Sequence, residues 1–200
     1  RVDTAAFSRC RRLILVPGSG GARVEIDPEG RTIRGWTRSN SGGVPEGFAF
    51  YFVARFDVPL SGWGVFSGKF TEAGGTLEES HSPGAYVEFG ADDGPLVVEA
   101  RIGTSFIGWE QAEQNLASET GSQSFDQIVA QGAAKWEDAI GRLRVEGGTE
   151  EQRRTLYSCL YRTQLFPRDF HEFDSDGRPH HYSPYDGRVH AGRLVTDNGF

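Results

Sequence analysis

Phe48-Ala49-Phe50-Tyr51-Phe52-Val53-Ala54-Arg55-Phe56-Asp57-Val58 is the longest apolar run of the chain, and its reading decides the fold. In an extended segment Phe48, Phe50, Phe52 and Ala54 fall on one side and Tyr51, Val53 and Arg55 on the other, because successive strand side chains point to opposite faces. Apolar groups on both sides predict a strand covered on both faces. Upstream, Ala22 to Asp27 sets Arg23, Glu25 and Asp27 against Val24 and Ile26, the two-residue period of a half-buried strand. Pro28-Glu29-Gly30 predicts a turn, Arg31 to Trp36 resumes the alternation around Ile33, and Arg12 to Val16 is a short apolar run. Downstream, Trp63 to Phe70, Ala85 to Phe89 and Leu96 to Ile107 read as three more strands between loops rich in Gly, Pro, Ser and Asp. About seven short strands with no helix among them predict two packed antiparallel sheets.

After Phe106 the period changes to that of a helix. Trp109 to Glu119 repeats Ala112, Leu116 and Ala117 at three- and four-residue steps and is closed by Gly121. Ser124 with Gln127 has capping-box spacing and opens a second helix carrying Phe125, Ile128, Val129, Trp136, Ile140 and Leu143, with Gly132 costing about 1 kcal/mol relative to Ala. Arg144 to Glu146 reads as a short extended piece. Thr149 with Gln152 repeats the capping box for a third helix through Leu156, Tyr157, Leu160, Tyr161 and Leu165, stopped by Pro167. Its broad apolar face needs partners in the sandwich or in sequence after Phe200, and a chain excised here is expected to expose it and associate. From Phe170 onward the chain is polar, with Asp176-Gly177 and Asp186-Gly187 as hairpin turns.

Composition narrows the function classes. The 200 residues carry 21 Lys+Arg against 28 Asp+Glu, net −7, with 19 Arg among the bases, which argues against a nucleic-acid partner. No run approaches the roughly 20 apolar residues of a membrane span. The chain has no Met and stops at Phe200, and it reads as a fragment. Cys10 and Cys159 predict two unrelated buried thiols rather than a bridge. Residues 1–45 hold eight Arg against four acids, while residues 70–99 hold seven acids and no Arg or Lys, so pairing across the sandwich is open to them.

The residues alone single out no reaction. His171, Glu172, His180, His181 and His190 match no zinc spacing, and adjacent His180 and His181 point to opposite faces of a strand. Asp174, Asp176 and Gly177 resemble the start of a calcium loop without its closing acid, and an Asp-Gly turn explains them better. Gly18, Gly20 and Gly21 are not followed by the helix a phosphate cradle requires, and no Ser has a nucleophile-elbow setting. Trp36, Trp63 and Trp109 can stack on sugar rings where exposed, but strand tryptophans usually belong to the core.

A series of motifs in order carries more. Tyr51-Phe52-Val53-Ala54-Arg55-Phe56-Asp57-Val58-Pro59, Ile102-Gly103-Thr104-Ser105-Phe106-Ile107, Ala112-Glu113-Gln114-Asn115-Leu116, Trp136, Val145-Glu146-Gly147-Gly148-Thr149, Leu156-Tyr157-Ser158-Cys159-Leu160-Tyr161-Arg162-Thr163, Pro167-Arg168, Tyr185-Asp186-Gly187-Arg188-Val189-His190 and Thr196-Asp197 resemble the glycoside hydrolase family 92 α-mannosidases over about 150 residues. The resemblance implies a mainly β fold, an antiparallel β-sandwich at 1–107, then a helical linker at 108–147 and the truncated start of an (α/α)6 catalytic barrel at 148–200. It also implies a calcium-dependent exo-enzyme that releases terminal α-mannose from glycans with inversion, secreted or placed in the periplasm or at the cell surface. The catalytic acid, base and calcium ligands are expected after residue 200, which leaves Arg168, Asp197 and Phe200 as substrate-proximal candidates and the isolated piece inactive. Arg168 can clamp a carboxylate or hydroxyl, or tie barrel to linker through a salt bridge. The alternative is a non-catalytic carbohydrate-binding or interaction sandwich.

Overall fold

A computed structural model describes residues 2–3, 12–40, 42–90, 96–165 and 167–196. The first half of the chain gives β1 (Val2–Asp3), β2 (Arg12–Leu15), β3 (Ala22–Asp27), β4 (Thr32–Thr37), β5 (Phe50–Phe56), β6 (Gly62–Ser67), β7 (Phe70–Ala73), β8 (Leu77–Ser80), β9 (Pro83–Glu88), β10 (Val97–Val98) and β11 (Ala100–Ser105). Three helices follow, α1 (Trp109–Thr120), α2 (Phe125–Ile140) and α3 (Glu150–Thr163). Short strands close the chain: β12 (Arg168–Asp169), β13 (Glu172–Phe173), β14 (Pro179–Tyr182), β15 (Val189–Ala191) and β16 (Val195–Thr196).

Two antiparallel sheets make the predicted sandwich. One has the order β11-β5-β4-β3-β8 and the other β2-β9-β6-β7. Their facing sides bury Val24, Ile26, Ile33, Phe52, Ala54, Phe56, Val65, Ala85, Val87 and Phe89. Each fully buried Val or Ile contributes about 1.5–3 kcal/mol relative to an exposed position. The other face of β5 is covered as well, since Val53 packs with Ala112 and Leu116 of α1. Strand β5 is thus covered on both sides, with a sheet opposite one face and a helix over the other.

Gly103 explains how closely α1 lies. A Cβ built there would overlap the Ala112 carbonyl oxygen and stand 2.7 Å from the Leu116 Cβ. The helix starts where the Ser105 hydroxyl accepts hydrogen bonds from the backbone N–H groups of Ile107 and Gly108, at 2.8 and 3.3 Å, and stops at Gly121. Helices α2 and α3 carry the two expected capping boxes, on Ser124 with Gln127 and Thr149 with Gln152, yet neither buries a residue. They touch through Trp136 and Tyr161, whose rings are 4.7 Å apart, and the Tyr157 hydroxyl of α3 donates to the carbonyl of Leu143 in the segment between them at 3.1 Å.

Several expectations change. The run Trp63 to Phe70 is a hairpin and not one strand, because Gly68, at φ +57, turns β6 back into β7. Leu96 to Ile107 breaks at Glu99, whose N–H donates to the Asp57 carboxylate at 2.8 Å, so β10 leaves to pair with β1 while β11 pairs with β5. Arg144 to Glu146 joins no strand. In the Pro28-Glu29-Gly30 turn the left-handed residue is Arg31, φ +54, and not the glycine. That conformation costs a side-chain-bearing residue about 1–2 kcal/mol. Two contacts hold it: the Arg31 guanidinium donates to the Asp57 carbonyl, and the Arg31 carbonyl accepts from the Phe56 N–H, both at 2.9 Å.

The arginine-rich and acid-rich stretches do pair, but between neighbouring strands of one sheet rather than across the sandwich. Arg12 meets Glu88 between β2 and β9, and Arg23 meets Glu79 between β3 and β8. Cys159 is exposed, contrary to the buried thiol expected, because nothing among the described residues covers its side of α3. Cys10 lies outside the described residues.

Candidate functional site

The chain after α3 folds back onto the end of the sandwich. Phe106, just past β11, stacks on Phe170 with ring centroids 4.5 Å apart and on Phe48 at 5.3 Å, and Phe50 meets its edge at 5.3 Å. Tyr182 of β14 closes the cluster against Phe48 at 5.8 Å, and burial pushes its phenol up from the ordinary value. Below these rings lies a polar layer. Glu172 of β13 accepts the Phe106 N–H at 2.8 Å and the Asn115 amide at 2.7 Å, and Gln111 of α1 donates to the Phe173 carbonyl at 2.8 Å.

A second feature is a polar cavity of about 440 Å³ on the outer face of the five-stranded sheet, lined by Glu25, Asp27, Gly30, Thr32, Arg34, Arg55 and Glu113. Its charges largely neutralise one another. Glu25 accepts from Arg34 at 2.7 Å and from Arg23 at 3.2 Å. The Arg34 bond outweighs desolvation and, with Arg23, holds the Glu25 carboxyl below its ordinary value. Asp174 is lowered by the Arg178 backbone N–H, and Asp186 by its hydrogen bond from His190. A general acid working near neutral pH needs displacement in the opposite direction. Among the described residues every displaced carboxyl moves the wrong way for that role.

Each residue singled out by sequence has a definite place. Arg168 stands on exposed β12, aligned with Thr196 of β16, the residue before Asp197; the Thr196 hydroxyl donates to the Arg168 carbonyl at 3.4 Å. Asp197 and Phe200 lie outside the described residues. Each histidine has its own polar or aromatic partner, His180 the Gln111 side-chain oxygen at 3.0 Å, His181 the Gly192 carbonyl at 3.0 Å, His190 Asp186 at 2.8 Å and His171 the edge of Phe173, and only His181 and His190 face each other, across β14 and β15 with ring centroids 5.8 Å apart. Asp174 closes its turn by accepting from the Asp176 and Arg178 N–H groups, so this is the hairpin turn expected. Among the described residues no three His, Cys, Asp or Glu side chains gather closely enough to hold a metal ion. These residues do not fit a calcium ion.

Trp36, Trp63 and Trp109 each have partners within the fold. Trp109 donates its indole N–H to the Gly35 carbonyl at 3.0 Å, with the Arg34 and Arg23 guanidinium carbons 5.0 and 5.6 Å from its ring centre. Arg38 lies 4.8 Å over Trp36, and Trp63 packs against the core. Sequence reasoning missed the Gln111–Asn115–Glu172 layer. The available signal was a pair of carboxamides four residues apart beside the apolar stripe of α1.

The chain belongs to glycosyl hydrolase family 92: residues 5–105 match the family's N-terminal domain and residues 111–199 its catalytic domain. It is similar to the family GH92 inverting mannosidase of Bacteroides thetaiotaomicron, with 42% identity and a TM-score of 0.90 over 94% of this chain and 25% of that one. A family GH92 α-mannosidase of the same bacterium, solved with mannoimidazole, shares the fold at 20% identity and TM-score 0.71, covering 90% of this chain and 23% of that one. A protein of Arthroderma benhamiae described as an uncharacterized secreted glycosidase is 30% identical over 92 residues, 44% of this chain and 12% of that protein. The chain thus spans about a quarter of its solved relatives. No described helix is long and apolar enough to cross a membrane.

Proposed function

We propose that the whole polypeptide is a secreted or periplasmic, calcium-dependent exo-α-mannosidase that removes terminal mannose from glycans with inversion. In this reading residues 1–107 are the N-terminal sandwich, 108–147 the linker and 148–200 the start of an (α/α)6 catalytic domain. The observation that carries it is the match to the family's catalytic domain, which begins at residue 111 on α1, together with 42% identity to a solved inverting mannosidase. The catalytic match also favours an enzyme over a binding module.

Inversion requires one carboxyl to protonate the leaving oxygen while a second activates water on the opposite sugar face, the two roughly 6.5–9.5 Å apart. Both carboxyls and the calcium ligands belong, in this reading, to sequence after residue 200. Arg168, Asp197 and Phe200 are the substrate-proximal candidates of this reading, with the Arg168 fork suited to a hydroxyl or carboxylate. The test is NMR observation of the sugar first released from an α-mannoside by the full-length protein, with and without a chelator. β-Mannose, lost on chelation and restored by calcium, is expected. α-Mannose as the first product, activity that survives chelation, or no release overturns the reading.

A further inference from the structure

Helix α1 is bonded on three sides by two side chains. The Asn115 amide donates one hydrogen to the Thr104 carbonyl on β11 at 2.8 Å and the other to Glu172 Oε2 on β13 at 2.7 Å. Its oxygen accepts from Gln111 Nε2 at 2.9 Å. The second hydrogen of that Gln111 nitrogen goes to the Phe173 carbonyl at 2.8 Å, and the Gln111 oxygen meets His180 Nε2 at 3.0 Å. Glu172 Oε1 accepts the Phe106 N–H at 2.8 Å. Both amide hydrogens and the oxygen of each carboxamide are therefore used. Gln111 is only 8% exposed. A part-buried layer in which both carboxamides use every donor and acceptor favours one arrangement, because a misplacement strands a donor or an acceptor.

We propose that Gln111, Asn115 and Glu172 are positioning residues. They form a joint that fixes the β13–β14 strands to the sandwich and thereby sets where the catalytic half stands. The amide orientations follow from it: with Gln111 Nε2 donating to a carbonyl, its oxygen must accept, so His180 carries its proton on Nε2. Gln114 donates to the same Phe173 carbonyl at 2.9 Å from an exposed setting and lies outside the layer.

The kinetic part of the proposal rests on the mannosidase reading, and the structural part does not. The experiment uses the full-length protein with Asn115→Asp, Glu172→Gln, both together, and Gln114→Ala as a control. Each single exchange sets two like groups against each other; the double exchange reverses the direction of the 115–172 hydrogen bond but leaves a carboxylate oxygen of residue 115 facing the Thr104 carbonyl, so it restores only part of the loss. Hydrogen exchange at the Phe106 amide is expected to rise about 10- to 100-fold in each single variant, to fall partway back in the double, and to stay unchanged in the control. The kcat on an α-mannoside is expected to drop about tenfold in the singles with KM within about twofold, and to recover in part in the double. His180→Ala, which removes only an outer partner, gives a smaller form of both effects if a single variant does not fold. Unchanged exchange at Phe106, or losses that simply add in the double, overturns the joint. Faster exchange with kcat untouched overturns the positioning role. A wild-type protein inactive on α-mannosides overturns the mannosidase reading and leaves the exchange result to decide the joint.

Discussion

The sandwich and the α2–α3 pair are built by opposite means. In the sandwich, Val24, Ile33, Val53, Val65 and Val87 lose all their exposed surface, and the strands are held by partners far away in sequence. In α2 and α3 the local signals are complete, with two capping boxes and i,i+4 ion pairs Asp138–Arg142 and Glu150–Arg154, but no side chain is buried. Leu143, Trp136, Tyr161 and Leu165 are each more than 40% exposed. Caps and ion pairs of this kind contribute tenths of a kcal/mol to about 1 kcal/mol each, whereas the apolar stripe of a helix needs a second surface. Good local chemistry places a helix without giving it a core.

The sharpest way to break this contrast is at Gly103. Gly103→Val has no room under α1 and is expected to cost about 3 kcal/mol or more, read as a lower urea midpoint. Next, Val53→Ala is expected to cost about 1.5–3 kcal/mol, while Leu156→Ala on α3 changes the same midpoint by less than about 0.5 kcal/mol. Equal losses would erase the distinction between the two regions. Gly132→Ala follows, since nothing lies within 4 Å of a Cβ there. It is expected to raise α2 helicity, worth about 1 kcal/mol locally, without shifting the sandwich transition.

The smallest effect is at Glu25, whose carboxyl the Arg34 hydrogen bond holds below its ordinary value in the folded chain. Its contribution is fully present above that ordinary value and disappears as pH falls through the lower folded one. Glu25→Gln is therefore expected to cost up to about 1 kcal/mol near neutral pH, the pair being partly exposed. The two urea curves should merge in acid; a constant difference down to the lowest pH would sharpen the case for a steric role.

What was legible follows the same division. Period-two alternation placed β3, and the two capping boxes placed the starts of α2 and α3, because each signal is complete within a few residues. The two-sided strand at Phe50–Phe56 was visible, but its outer cover was not, since nothing in Val53 names Ala112 and Leu116. The joint at Gln111, Asn115 and Glu172 depends on a register between residues about sixty apart. Arg31 was hidden behind Gly30, because only the backbone shows which of the two takes the left-handed turn. Of the site candidates, Arg168 could be followed to a strand paired with Thr196.

The pairing of β2 with β9 also sets a timetable. During synthesis from the N-terminus, Arg12 must wait until Glu88 has left the ribosome, and Asn115 until Glu172 has, whereas α2 and α3 can wind as soon as their own turns emerge. The nascent chain therefore passes through an interval in which the sandwich is shut and the helices are formed but still undocked, and holding such a species in solution is the kind of work that chaperones do.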